Sequence, residues 1–260
     1  MNWLRRRGPT VLLALSAAVL IGLFAWWAKV RIDRLSLETQ STSTWFRWEY
    51  LFVRKRTPGE LEAMGRQHIR LTVVPVLAGT VISAVLAAVG RRFRWLLGPI
   101  YGFGAFLYAV PSLALFGILS TYTSNETSAT VALTSYTLLI ITRNMVEGLD
   151  AVPPAALDAA DGMGMSPLQR LRRVEIPLAL PAILTGIRIA TVTTVGLVGI
   201  SAVIQLGGFA TLIFDGFERR YTTPMILGTV LSILLAVGLD LLLRGVERFT
   251  VPWARRRAGS

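Results

Sequence analysis

The chain has 260 residues, 53% of them hydrophobic and only 16% charged, against about 25% charged in an ordinary soluble domain. Its 27 Lys and Arg outnumber 15 Asp and Glu for a net charge of +12, and the charge is gathered between six stretches free of Asp, Glu, Lys, Arg and His (8–28, 71–90, 95–125, 127–142, 189–214 and 221–239), a texture that excludes a soluble enzyme and a cytosolic nucleic-acid binder. With no Cys and a single His68, disulfides, thiolate nucleophiles and a histidine metal site are excluded too, and no metal site is expected.

Five of the six stretches reach 19 residues, close to the roughly 20 apolar helical residues that cross a hydrocarbon core. Arg5, Arg6 and Arg7 precede the first, as in a secretory signal, but that run ends in bulky Trp26 and Trp27 where a cleavage site needs small residues. Residues 1–28 are therefore expected to be a retained N-terminal transmembrane helix with its tryptophans in the interfacial belt. Residues 29–70, with 9 basic and 5 acidic side chains, read as an extracytoplasmic segment, looped at Ser41–Thr44 and ending in a short helix opened by Pro58. Further spans are expected at Leu71–Gly90, Trp95–Ser120 with a break or bend near Pro111, Thr127–Met145, Leu178–Ile204 and Thr223–Leu243. The predicted fold is all-α and polytopic, with about six transmembrane helices, a core over 71–243 that carries a cytoplasmic loop at 147–177, and a basic cytoplasmic tail at 244–260.

Basic residues decide the orientation. With a cytoplasmic N-terminus the inner segments hold 16 of them and the outer ones 11, and the tight Arg91-Arg92-Arg94 turn weighs most because short loops govern the rule. The dense 29–70 segment is the one dissenting feature.

The loop carries the informative stretch. Pro153-Pro154 suits a first helical turn, Gly162 and Gly164 permit a tight chain reversal, and Ser166-Pro167 restarts a helix with a cap followed by Pro. Leu168, Leu171 and Val174 recur every three residues, flanked by Arg170, Arg172 and Arg173, and Pro177 and Pro181 punctuate the start of the next span. An amphipathic helix–turn–helix between two spans either docks on a partner or lies on anionic headgroups, and periodicity alone does not choose.

The segment resembles the signature loop of binding-protein-dependent ABC importer permeases: Glu-Ala-Ala, three residues, Gly, nine residues, Ile-x-Leu-Pro. Here Asp158-Ala159-Ala160 is followed by three residues, Gly164, nine residues and Val174-x-Ile176-Pro177, so the register is kept with conservative departures. The resemblance implies the type I ABC importer permease fold and a cytoplasmic coupling helix seated in a cleft of the ATPase subunit. Asp158, Ala159, Ala160, Gly162, Met163, Gly164, Met165, Ser166, Pro167 and Leu168 would form that site, with Ala159 and Ala160 allowing close approach and Met163, Met165 and Leu168 supplying the apolar contact.

A narrower resemblance, over about 65–240, is to the glycine betaine, carnitine, choline and proline osmoprotectant group. Gly162–Leu168, Arg173–Pro181, Pro111–Leu115, Arg143-Asn144, Gly186–Arg188 and Gly207-Gly208 with Leu212-Ile213 carry it, while Tyr108 stands where Gln commonly precedes the Pro-Ser-Leu run. It implies a transport subunit of the bacterial or archaeal cytoplasmic (inner) membrane. Its partners would be an ABC ATPase dimer, a second permease, identical or homologous, and an extracytoplasmic substrate-binding protein. No nucleic acid is expected, and no cofactor in this chain, since ATP and magnesium would sit on the ATPase.

Neither Lys29 nor Lys55 follows a Gly-rich phosphate loop, so ATP hydrolysis by this chain is not expected. Pro111 reads either as a kink or as a broken span lining the pathway with Tyr108 and Ser112, and the resemblance favours the second. Arg188 and Asp240 read as snorkelling residues, with Asp240 paired to Arg244. Gly79, Gly186, Gly196, Gly199 and Gly228 read as close-packing positions. The alternatives are a permease for another small amine or amino-acid-like solute, and, in a different class, an ion-coupled secondary transporter, against which the scarcity of mid-span ionisable residues counts. A membrane-embedded enzyme lacks the clustered His, Asp or Glu that its chemistry needs.

Overall fold

The computed structural model describes residues 58–250, and its regular elements are all helical. The expected helix at 1–28, the Ser41–Thr44 loop and residues 251–260 of the tail lie outside the described residues. The first element, α1, runs unbroken from Pro58 to Arg92 over 35 residues, so the short helix expected to end at Arg70 and the span expected from Leu71 are one helix. Arg91 and Arg92 close it with positive charge where the helix dipole favours it. A 3₁₀ turn, Arg94–Leu96, leads to α2 (Leu97–Ala109) and α3 (Ser112–Tyr122), which meet at 91°. The break falls where expected, because Pro111 has no N–H to give and pushes Val110 into an extended conformation.

Ser124 caps α4 (Asn125–Asp150), its hydroxyl accepting from the Thr127 N–H at 3.3 Å. After it come α5 (Pro154–Gly162), the single turn α6 (Pro167–Arg170), a π-helical turn (Leu171–Glu175) and α7 (Ile176–Val198), which tightens into a 3₁₀ segment, Gly199–Ile204. A helix not foreseen in the sequence, α8 (Ala210–Glu218), makes a hairpin with α9 (Thr222–Thr250), which runs past the expected end at Leu243.

The central helix is α4. Arg70 meets Glu126 at 3.0 Å at one end of the α1–α4 pair and Arg91 meets Asp150 at 3.3 Å at the other, so the two helices run parallel. Against α4, α7 runs antiparallel, with Gly148 close to Ala179 and Ala182 and Gly186 close to Asn144. Three helices (α1, α7 with its preceding turns, and α9) are long and apolar enough to cross a membrane, and the bent α2–α3 pair makes a fourth. That pair is a broken span rather than a re-entrant loop: Arg94 at its start pairs with Asp150, whereas Asn125, just past its end, donates to the Ile204 carbonyl at the opposite end of the molecule. At about 39 Å for 26 residues, α4 spans the same depth although its composition is polar. Its hydroxyls soften this: Thr130, Thr134 and Ser135 donate back to carbonyls one turn earlier, while the buried Thr142 hydroxyl makes no hydrogen bond among the described residues. The described residues thus hold five of the six expected crossings.

Two apolar clusters fill the bundle. Phe116 of α3 packs with Leu71, Leu133, Val198 and Ile204 in the half nearer Arg70 and Glu126, and Ala87, Ile141, Met145, Val146 and Ala190 pack in the half nearer Arg91 and Asp150. Small residues bring the backbones together. A side chain at Gly79 would collide with Thr137, and one at Gly228 would meet the Phe209 carbonyl at 2.6 Å. Among the described residues Gly196 has nothing within 4 Å and Gly199 only an ordinary contact, so neither brings two of these helices together, whereas Gly148 does, close to Ala179 and Ala182. Gly79→Val should force α1 off α4 and destabilise the fold by about 1–3 kcal/mol. Thermal unfolding of the detergent-purified protein would register this as a lowered Tm, with Gly117→Ala, at an open site, as the unaffected control.

Candidate functional site

Between α4 and α7 the chain builds a compact, charged helix–turn–helix. Pro154 at the first position suits the start of α5. The helix ends in a paired reversal: the Met165 N–H reaches the Ala160 carbonyl at 3.2 Å and the Gly164 N–H reaches the Asp161 carbonyl at 2.9 Å. That double closure requires a left-handed residue between them, and Gly164 supplies it with φ +71°. Gly162, by contrast, is the last helical residue and carries no such demand. Ser166 opens α6 with a reciprocal cap: its hydroxyl accepts from the Gln169 N–H, and the Gln169 side chain accepts from the Ser166 N–H at 2.9 Å. Arg170 then clasps both oxygens of Asp161, at 2.8 and 2.7 Å, tying the second helix back onto the first.

This frame presents Asp158, Ala159, Gly162, Met163, Gly164, Ser166, Pro167 and Leu168 on the surface; Met163 and Leu168 are 67% and 56% exposed. Met165 is half-buried. Ala160 is fully buried. Its methyl packs inside the chain and is not available to a partner, which narrows the expected contact surface by one residue. The Leu171, Val174 stripe turns partly inward, and Arg172 and Arg173 are exposed.

Behind the surface lies a chain of ion pairs that the sequence pattern did not reveal. Glu175 is buried and accepts from Arg91 at 2.7 Å and Arg170 at 3.2 Å. Arg91 also reaches Asp150, which Arg94 grips at 2.6 and 3.1 Å. These long-range pairs have no local sequence signature, unlike the Ser166-x-x-Gln169 cap beside them. Arg188 and Asp240, expected to snorkel, instead pair with each other at 2.9 Å across α7 and α9, while Arg188 also reaches Glu247 and Asp240 keeps its expected Arg244 partner at 2.7 Å. Buried His68 has Nε2 3.2 Å from the Val195 carbonyl and its ring against Phe209, a packing role. Among the described residues no group of three or more His, Asp or Glu is arranged to hold a metal.

The second candidate region is the α2–α3 break. Tyr136 of α4 donates to the Val110 carbonyl at 2.6 Å, satisfying the group that the break would leave open. Tyr108 stands edge-on to Tyr136 with ring centres 6.0 Å apart. Tyr108 and Pro111 are exposed and Ser112 is half-buried, so the three lie together at the bend.

A sequence profile describing the binding-protein-dependent transport system inner membrane component matches residues 66–251. The chain belongs to this family. An osmoprotectant import permease protein, OsmW of Salmonella typhimurium, is 36% identical over 200 residues, covering 75% of this chain and 93% of its own. A choline transport system permease protein, OpuBB of Bacillus subtilis, is 32% identical, covering 76% of this chain and 92% of its own. The inward-facing MetNI methionine ABC transporter in its native crystal form shares the fold, with TM-score 0.63 over 74% of this chain and 96% of that one, at 22% identity. This permease is thus a multi-pass inner-membrane transport component rather than a catalyst, and it has the type I importer permease fold.

Proposed function

We propose that this permease forms one half of the translocation pathway of an ATP-driven importer for a small osmoprotectant, of the kind glycine betaine, choline, carnitine and proline represent. It works with a dimeric ABC ATPase, a second permease, identical or homologous, and an extracytoplasmic binding protein, in the cytoplasmic membrane of a bacterium or archaeon. ATP and magnesium are held by the ATPase. The observation that carries this reading is the rigid α5–Gly164–α6 turn, whose exposed Met163 and Leu168 stand on a clasped and capped frame at the end of the bundle where Arg91, Arg94 and Arg170 gather. That end is the cytoplasmic one in this reading, since short basic turns stay inside. Residues 71–243 act as the permease core and 147–177 as its coupling loop.

The solute class rests on the names of the relatives, OsmW and OpuBB. Selection belongs to the binding protein, and the permease needs only weak contacts, because a tight site in the pathway would slow release. In cells carrying the complete complex, excess glycine betaine, carnitine or proline should compete with uptake of labelled choline. Choline uptake that none of these solutes reduces, or no choline uptake at all, would refute the solute class while leaving the transport role standing.

A further inference from the structure

The coupling turn is joined to the bundle by more than its own continuation into α7. In an α-helix residues five apart lie about 140° from each other and their side chains do not meet. Here Arg170 and Glu175, five apart, pair at 3.2 Å. The π-helical turn Leu171–Glu175 makes this possible: the Ile176 N–H bonds the Leu171 carbonyl, five residues back, which stacks such positions over one another. Pro177 supplies a reason for the wide turn, since its ring would crowd the Arg173 carbonyl in an ordinary helix.

The turn aims Glu175 into the protein, where its side chain is only 6% exposed and is held by two guanidinium groups from different elements. A buried carboxylate without such partners would be strongly unfavourable. From there acid and base alternate: Asp161 on α5, Arg170 on α6, Glu175 on the π turn, Arg91 at the end of α1, Asp150 at the end of α4 and Arg94 on the 3₁₀ turn after α1. Three acids face three bases, so the cluster is neutral and has no net attraction to headgroups. Arg172 and Arg173 point out of it. Farther along α4, Tyr136 holds the Val110 carbonyl at the α2–α3 break.

We propose that Glu175 is a positioning residue for energy coupling. Pinned between Arg170 and Arg91, it locks the docking turn to the inner ends of α1 and α4, so that movement of the ATPase is delivered to three helices together and not to α7 alone. This rests on the reading of Asp158–Leu168 as the segment that docks on the ATPase.

The test uses the complete complex in proteoliposomes and reads solute imported per ATP hydrolysed. A residue that merely supports the fold would lower uptake and hydrolysis together and leave that ratio alone. Glu175→Gln and Arg91→Gln should each lower it about tenfold, the effect of weakening a charge-assisted bond. The double variant should be no worse than either, because both act through one link. Glu175→Asp, which keeps the charge, should retain more of the ratio than Glu175→Gln. If the Glu175→Gln complex does not assemble, Arg91→Gln gives the reading, since Glu175 then still has Arg170. An unchanged ratio in Arg91→Gln and Glu175→Gln overturns the proposal. If Gly164→Trp uncouples in the same assay, the docking reading survives that result; if it too is unchanged, the docking reading falls as well.

Discussion

Gly164→Trp should reduce ATP-driven uptake by on the order of a hundredfold, equivalent to about 2.7 kcal/mol, without preventing membrane insertion. Two effects combine. The residue sits at φ +71°, where any L side chain is strained by about 1–2 kcal/mol. The space around it is open, with no described residue within 4 Å of where a Cβ would stand. A side chain there starts from open space on the exposed surface that Met163 and Leu168 share, so its bulk is expected to act on the partner. Gly162→Trp separates the two effects, being exposed but helical: it should impair uptake through bulk alone. Gly162→Ala should be close to neutral. Asp158 is exposed and should be less sensitive, serving at the rim. Uptake and hydrolysis measured on the purified complex decide the matter. Wild-type values for Gly164→Trp with the ATPase still bound would show that this turn is not the coupling element.

The second large effect is expected at the broken span. Ser112→Cys, placed in a chain with no native Cys, should be modified by a charged, membrane-impermeant thiol reagent, and modification should abolish most uptake. The reason is the backbone. Between Ala109 and Ser112 the helix is interrupted and turned through 91°, and irregular backbone is tolerated at membrane depth only where protein or a water-filled cavity adjoins it. Tyr136 satisfies the Val110 carbonyl at the break, and we propose that the exposed face bearing Tyr108, Pro111 and Ser112 borders the pathway. Substrate present during labelling should slow the reaction. A Ser112→Cys variant whose thiol reacts only with lipid-soluble reagents, with uptake intact, would place these residues against lipid.

Much of this was legible in the sequence because the signals are local. A charge-free run of about 20 residues marks a span, and Pro111 removes a hydrogen bond wherever it stands. Gly164 and Ser166 announce a helix end and a helix start through backbone chemistry confined to about four or five residues. What failed to show depends on distance. Arg70 with Glu126, Arg91 with Glu175 and Arg188 with Asp240 are separated by 56, 84 and 52 residues, so only the packing of parallel and antiparallel helices brings them together. Ala160 reads in the sequence as one more small exposed residue; that it points inward follows from the rotation of α5 on the bundle. The α8–α9 hairpin was hidden because residues 210–214 are as apolar as the span before them, and its turn is set by Arg220 at φ +50° rather than by a glycine.

The central claim is that this permease supplies the pathway and an ATPase supplies the energy. It is tested most directly by uptake of labelled choline into proteoliposomes holding the purified complex, with ATP enclosed on the ATPase side and no ion gradient imposed. The account predicts accumulation that requires both ATP and the binding protein and that disappears when the ATPase carries a dead nucleotide site. Accumulation by this chain in the absence of any ATPase, driven by a proton or sodium gradient alone, would contradict it.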